Sequence, residues 1–408
     1  MLERAKVTAI SHPEWVLDER IAYVARNLVE QVPDPTENKR CCVSSGAALS
    51  ALFLNEMASL LNEPSLKEKA IQQIEYGAEL LNNEALSSSL YQSAPGYAWT
   101  LNLLAEEHKL EWARELLEDL DDLFLESFID AGDTLNIDLI SGISGLLVYA
   151  VARARTSHDR RLINEIDAWF QRRFSYWRDG YDRRTSLKRP KCDQDMGIAH
   201  GTPGVLASFS VAAQKGLLSE SGIEVLRSGY DYLWGSSNPT ASGDAFFPGY
   251  NGGNTSIRVA WCYGNPGVCI SYLHGNALND SNVQRANKLL RYCLYEFEQG
   301  LHKIKDPSLC HGDAGMGLIF SILSRSKNID SSLRERCFQN CNVAVHRALD
   351  TACEEKGRIS FPYFRANHGY INTHTLLEGS PGVCLAICAA LRGETPPWTE
   401  LLLLSDVA

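Results

Sequence analysis

A thiol and an imidazole stand side by side in Leu309-Cys310-His311-Gly312-Asp313-Ala314-Gly315. A second thiol lies upstream in Trp261-Cys262-Tyr263-Gly264-Asn265-Pro266-Gly267. Thiolate and neutral imidazole are preferred ligands of zinc. Cys262, Cys310 and His311 together would give three protein ligands and leave a fourth position for substrate, the pattern of a catalytic site, since structural zinc sites usually close all four. Taken alone, two such cysteines are more often ordinary buried thiols, and the spacing is not that of a compact pair of Cys-x-x-Cys motifs. Where the two stretches fall in a repeat is what separates these readings.

The elements that must position them recur seven times: an amphipathic helix, a loop, a glycine-marked turn and a short helix that is apolar almost all round. The amphipathic helices are expected at about Trp15 to Val32, Ser65 to Asn82, Leu110 to Phe128, Arg160 to Trp177, Ser219 to Trp234, Asp280 to Gln299 and Ser331 to Glu355. In the fourth, Leu162, Ile163, Ile166, Phe170 and Phe174 form one stripe; in the sixth, Val283, Ala286, Leu290, Leu294 and Phe297 do. The turns include Gly142-Ile143-Ser144-Gly145, Gly201-Thr202-Pro203-Gly204, Gly264-Asn265-Pro266-Gly267, Gly312-Asp313-Ala314-Gly315 and Gly379-Ser380-Pro381-Gly382. A helix apolar on every side must be covered on most sides, whereas one with a single wet face lies outside it. Alternation of the two predicts an all-α fold, an α/α toroid of seven inner and seven outer helices. Closure removes the open ends that a linear solenoid must cap. One domain spanning 1–408 is expected.

Composition narrows the function. The formal net charge of −11 argues against nucleic acid as a partner. No apolar run is long enough to span a membrane, and the N-terminus carries no signal-peptide pattern. Twelve cysteines without such a signal indicate free thiols in a reducing compartment, so a cytoplasmic protein is expected. Cys337/Cys341 and Cys384/Cys388, each four apart on a helix face, read as core. Two loops stand out. Arg178 to Ala199 is basic, and reads as a solvated surface or a guide for an acidic peptide. Ser236 to Val259 is rich in glycine and aromatics, and reads as a surface excursion or the lining of a mouth.

In order along the repeat, Gly197-Ile198-Ala199-His200-Gly201-Thr202-Pro203-Gly204, Trp261-Cys262-Tyr263-Gly264-Asn265-Pro266-Gly267 and Cys310-His311-Gly312-Asp313-Ala314-Gly315 resemble the motifs of the lanthionine synthetase C-like family. Those proteins are the cyclases that close thioether rings in lanthipeptides. The resemblance covers essentially the whole chain and implies the double ring of seven helices. It implies that Cys262, Cys310 and His311 hold Zn2+, that His200 is the catalytic histidine and that Asp138 is its aspartate. It matches Arg258, Trp261 and Tyr263 to residues flanking the first zinc cysteine; Trp261 is expected to bind substrate and Tyr263 to be a second proton donor. Rounds one and two depart from the paired glycines: Gly46 and Gly96 each lack a glycine three residues earlier. The implied substrate is a dehydrated precursor peptide. The implied partners are a lanthipeptide dehydratase and an ABC exporter, with the cyclase peripheral to a membrane-associated complex. Two enzymes and a scaffold remain as alternatives: a relative acting on glutathione or another small thiol, a prenyltransferase-like toroid (whose zinc set includes an aspartate) and a non-enzymatic protein with structural zinc. His368 and His374, in the last loop, read as surface residues.

Overall fold

Among the described residues, seven helices are buried along nearly their whole length, as expected of segments apolar on every side. In the computed structural model, which describes residues 8–9, 17–83, 87–131, 134–179 and 195–407, these are α2 (Ala47–Leu61), α4 (Ala94–His108), α6 (Ile143–Arg153), α9 (Thr202–Gln214), α11 (Asn265–His274), α13 (Asp313–Arg325) and α15 (Ser380–Arg392). Every residue from Thr202 to Ser210 in α9, and from Ser380 to Ala390 in α15, is buried. The helices that precede them have one wet face: α1 (Leu17–Val29), α3 (Ser65–Leu80), α5 (Ala113–Ala131), α7 (Arg161–Phe174), α10 (Glu220–Trp234), α12 (Ser281–Glu298) and α14 (Ser331–Asp350). In α7 the buried side chains include the expected Leu162, Ile163, Ile166, Phe170 and Phe174, each burial stabilising by about 1.5–3 kcal/mol before chain entropy is subtracted. A four-residue helix, α8 (Tyr176–Asp179), follows α7. Seven inner and seven outer helices thus alternate, and α15 packs against both α1 and α2, closing the ring. Among the described residues no helix is long and apolar enough to cross a membrane.

A second closed circuit runs through the turns. In each round the backbone just before the inner helix donates a hydrogen bond to the corresponding carbonyl of the next round. The links run from Ser44 to Tyr91 (2.9 Å), Tyr91 to Ile140 (3.4 Å), Leu139 to Ala199 (3.2 Å), Ala199 to Cys262 (3.4 Å), Cys262 to Cys310 (3.3 Å), Cys310 to Leu377 (2.8 Å) and Leu376 back to Ser44 (2.8 Å). This belt satisfies backbone groups that the turns would otherwise bury unpaired. It also fixes equivalent residues of neighbouring rounds side by side at one end of the toroid.

The paired glycines exist because the belt lies against the helix that follows. A Cβ on Gly315 would lie 1.9 Å from the carbonyl oxygen of Leu309, and one on Gly312 would lie 2.4 Å from that of Asp306. Both neighbours are backbone and have no rotamer to give. Gly315→Ala is therefore expected to destabilise the fold by at least about 1–3 kcal/mol, seen as a lower denaturant midpoint; an unchanged midpoint would show that the belt yields freely. The structure also corrects the register of round one. Gly46 caps the N-terminus of α2 and so corresponds to the first glycine, with Leu49 at the place of the second. In round two Ser93 is the cap and Gly96 the second glycine.

Among the described residues, seven short strands lie before or between the helices: β1 (Thr8–Ala9), β2 (Asn238–Pro239), β3 (Ala245–Phe246), β4 (Cys353–Glu355), β5 (Arg358–Ser360), β6 (Tyr363–Arg365) and β7 (Gly369–Ile371). They pair as β1–β4–β5, β2–β3 and β6–β7, all antiparallel. The β4–β5 hairpin explains why α14 ends at Asp350 and not at the expected Glu355. Lys356 and Gly357 have φ of 52° and 77°, the pair of left-handed residues that a two-residue hairpin loop requires.

Candidate metal and acid-base site

Counted back from the residue that caps each inner helix, one register of the repeat holds the chemistry. Two positions before the cap stand Ser44, Tyr91, Ile140, Ala199, Cys262, Cys310 and Leu377. One position before it stand Ser45, Gln92, Ser141, His200, Tyr263, His311 and Glu378. The two thiols are therefore homologous positions of adjacent rounds, joined by the Cys262–Cys310 backbone bond. His200, Tyr263 and His311 are likewise homologous positions of rounds four, five and six.

One ligand atom from each of Cys262, Cys310 and His311 falls within 4.8 Å of the other two, and among the described residues no fourth His, Cys, Asp or Glu joins the group. Two thiols and an imidazole are the donor set that suits zinc. Their electrostatics fit a cation as well. The hydrogen bond with Cys310 draws the Cys262 thiol down, burial opposes this, and His311 and Arg258 add to the lowering, which brings it to about 5. Cys310, on the other end of that bond and buried, is pushed well up. Burial pulls His311 down, but Asp306 and Cys262 outweigh it and carry the imidazole up to about 9. Without metal the trio thus holds a thiolate beside an imidazolium, a charge pair that a divalent cation would replace.

Asp306 supports this arrangement. Its Oδ2 lies 3.4 Å from His311 Nε2 and accepts from the Phe364 backbone N–H at 3.1 Å, while its Oδ1 accepts from Ser308 N–H at 2.9 Å. Burial disfavours its charge, yet the His311 and Ser308 contacts hold the carboxyl below the usual range. A carboxylate behind a ligating histidine fixes the ring and its tautomer.

His200 reaches back one round to Asp138. Its Nδ1 lies 2.9 Å from Asp138 Oδ2. Asp138 is in turn held by the Ser141 N–H at 2.6 Å and by Asn136 Nδ2 at 3.1 Å, so it orders its own turn and orients the imidazole at once. Burial works against the Asp138 charge, but the hydrogen bonds from His200 and Ser141 outweigh it and lower its pKa. The bond to Asp138 raises that of His200 against the pull of burial. Tyr263 reaches back in the same way: its hydroxyl donates to Asp195 Oδ2 at 2.6 Å.

Arg258 is exposed and lines a cavity of about 730 Å³ together with His311, Asp306, Glu378 and the cations Lys303, Lys305 and Arg365. Trp261 does not line it, and here the expectation of substrate binding is corrected. The side chain is 1% exposed and its indole N–H donates to the Leu402 carbonyl at 2.9 Å, because residue 261 precedes the belt position and faces the core. His368 is exposed and His374 half-buried; neither lines the cavity. Cys337, Cys341, Cys384 and Cys388 are buried in helices α14 and α15 and belong to the core. Of the two singled-out loops, 236–259 packs on round four, through Met196 N–H to Gly249 O at 3.2 Å. Most of the basic loop, 180–194, lies outside the described residues.

Asp195 and Asp306 went unnoticed in the sequence because each is a lone carboxylate in a loop. Register is the signal that finds them: each lies six positions before the cap of its round, as Arg258 does.

A family model described as lanthionine synthetase C-like protein matches residues 38–403. The chain is 26% identical over 352 residues to the nisin biosynthesis protein NisC of Lactococcus lactis subsp. lactis, an alignment that spans 77% of this chain and 81% of that protein. The solved structure of nisin cyclase superposes with a TM-score of 0.72 at 22% identity, covering 96% of this chain and 98% of that one. The superposition bears out the helical double ring.

Proposed function

Because the chain belongs to the lanthionine synthetase C-like family, we propose that it is a zinc-dependent lanthipeptide cyclase that adds cysteine thiols of a peptide to dehydroalanine or dehydrobutyrine in the same peptide. The observation that carries this reading is the convergence of Cys262, Cys310 and His311 in the same belt that presents His200 on Asp138. Bound by those three residues, Zn2+ supplies the Lewis acidity that ionises a thiol at neutral pH, where a free thiol of pKa near 8.5 is mostly protonated.

The rest of the chemistry belongs to the chain. The peptide thiol gives up its proton, a carbon–sulfur bond forms at the β-carbon, and the alkene electrons move onto the α-carbon and its carbonyl as an enolate. His200, whose pKa the bond to Asp138 raises, delivers a proton to the α-carbon. The thiol's proton restores the imidazolium through solvent, so the product has the mass of the substrate. Arg258 faces the developing enolate oxygen as a charged hydrogen-bond donor. On this reading the substrate arrives already dehydrated, so a dehydratase acts before the cyclase. An exporter that removes the ringed product completes the set of partners, and the work is done in the cytoplasm.

The test uses a dehydrated, cysteine-containing peptide, a thiol-alkylating probe and mass spectrometry. The protein should remove alkylatable thiol without changing peptide mass, and chelation should stop it. Thiols that stay alkylatable would refute cyclisation. Addition of glutathione to the peptide, visible as its added mass, would assign the protein to small-thiol chemistry instead.

A further inference from the structure

Two rings beside the metal trio are each held by a carboxylate from the preceding round. Asp138 of round three holds His200 of round four, and Asp195 of round four holds Tyr263 of round five. The second pair has no place in the reaction as argued so far. Its contact of 2.6 Å has the length of a charge-assisted O–H···O hydrogen bond to a carboxylate.

Asp195 is itself anchored. Its Oδ1 accepts from the Gly197 N–H at 2.8 Å, its carbonyl accepts from Thr202 N–H at 3.1 Å, and its backbone bridges to Tyr250. Gly197 completes the seat. A Cβ there would fall 2.7 Å from Tyr263 Cδ1 and 2.4 Å from the Cys262 carbonyl oxygen, so only glycine lets the tyrosine ring lie against this backbone. The seated ring lies 6.4 Å from His200, centroid to centroid.

We infer that Asp195 is a positioning residue that seats Tyr263 beside His200 and takes up its hydroxyl proton in a hydrogen bond, so that Tyr263 meets the peptide as a hydrogen-bond acceptor and proton delivery falls to His200 alone. A tyrosine hydroxyl has one proton to donate; with that proton engaged in the hydrogen bond to Asp195, the phenol oxygen has only lone pairs left to offer. This inference rests on the cyclase reading, and it replaces the expectation of Tyr263 as a second proton donor.

The test is a double-mutant cycle on the full chain with metal bound. Asp195→Ala and Tyr263→Phe should each lower kcat/KM by about 10–100-fold, the scale of a misplaced reacting group. The double variant should fall no further than either single one, and metal content should stay at the wild-type level. Asp195→Asn, whose amide oxygen still accepts from the phenol, should recover most of the loss; if the alanine variant does not fold, Asp195→Ser, whose hydroxyl can still accept from the Gly197 N–H but is too short to reach the phenol, takes its place in the cycle. Losses that multiply in the double variant, or wild-type kcat/KM in Asp195→Ala, would overturn the inference. A readout independent of activity separates it from the cyclase reading. In protein labelled with 13C at tyrosine Cζ, the resonance lost in Tyr263→Phe should shift in Asp195→Ala. An unmoved resonance overturns the seating of Tyr263, whereas a wild-type protein that closes no rings overturns the cyclase reading.

Discussion

Cys310→Ala should leave a folded toroid that no longer retains zinc. Cys310 sits in the belt through its backbone, donating to Leu377 O at 2.8 Å and accepting from Cys262, and alanine keeps both bonds. Its side chain, by contrast, is one of three donors in the group found among the described residues. Loss of a partner behind a ligand already costs about 10–100-fold in metal affinity, so loss of a ligand should cost more than that. Asp306→Asn, which alters the partner of His311, should fall within the smaller range. Metal content after dialysis against a weak chelator reads both effects; a Cys310→Ala protein that keeps stoichiometric zinc would falsify the ligand assignment. Affinity should also rise with pH. Metal binding requires His311 neutral and Cys310 ionised, and both hold their protons above the ordinary pKa, His311 to about 9. Each proton released on binding makes affinity increase about tenfold per pH unit below that range. An affinity flat from pH 6 to 9 would mean that the trio is not the site.

Much of this site was legible in the chain before any coordinates, and the reason is the repeat. Helices such as α9 and α15 announce an inner ring because no face of them is polar, and a closed ring of identical turns turns a residue's offset from its glycine into a position in space. That is why Cys262 and Cys310, 48 residues apart in sequence, read as neighbours, and why His200 and Asp138 met as expected. The illegible features depend on which way a side chain leaves the belt, on register relative to a cap, or on a local backbone turn. Trp261 neighbours Cys262 in sequence, but the alternation of facing along an extended stretch sends it to the core. Asp195 and Asp306 carry no motif, because a carboxylate six positions before a cap looks like any solvated loop residue until the rounds are aligned on their caps. In round one the lone Gly46 does not by itself say whether it caps the helix or lies a turn inside it, and only the structure places it at the cap. The β4–β5 hairpin was hidden by a polar, helix-compatible sequence through Glu355, where the left-handed pair Lys356 and Gly357 decides the outcome.

His200→Asn should keep its zinc and lose cyclisation by about 10²–10⁴-fold, the range of a single general acid. The separation follows from position. His200 belongs to round four and touches Asp138, while the metal trio belongs to rounds five and six. Full activity in His200→Asn would remove the imidazole from the reaction. The pH profile gives a second check with a definite sign. Asp138 raises the pKa of His200 above its ordinary 6.5, and the proposed mechanism needs the protonated ring, so the rate should fall as pH rises through that raised value. Asp138→Asn removes the charge that raises it, and the falling limb should move to lower pH. Linkage requires the same direction in the fold. A raised histidine contributes stability that is complete below its unfolded pKa and is lost as pH rises through the folded one. The wild-type protein should therefore lose more stability over that interval than Asp138→Asn does. A rate that instead rises with pH through that value, on a limb that Asp138→Asn moves to lower pH, would mean that the neutral imidazole is the working form, and His200 would then take the thiol's proton where the present reading has it give one.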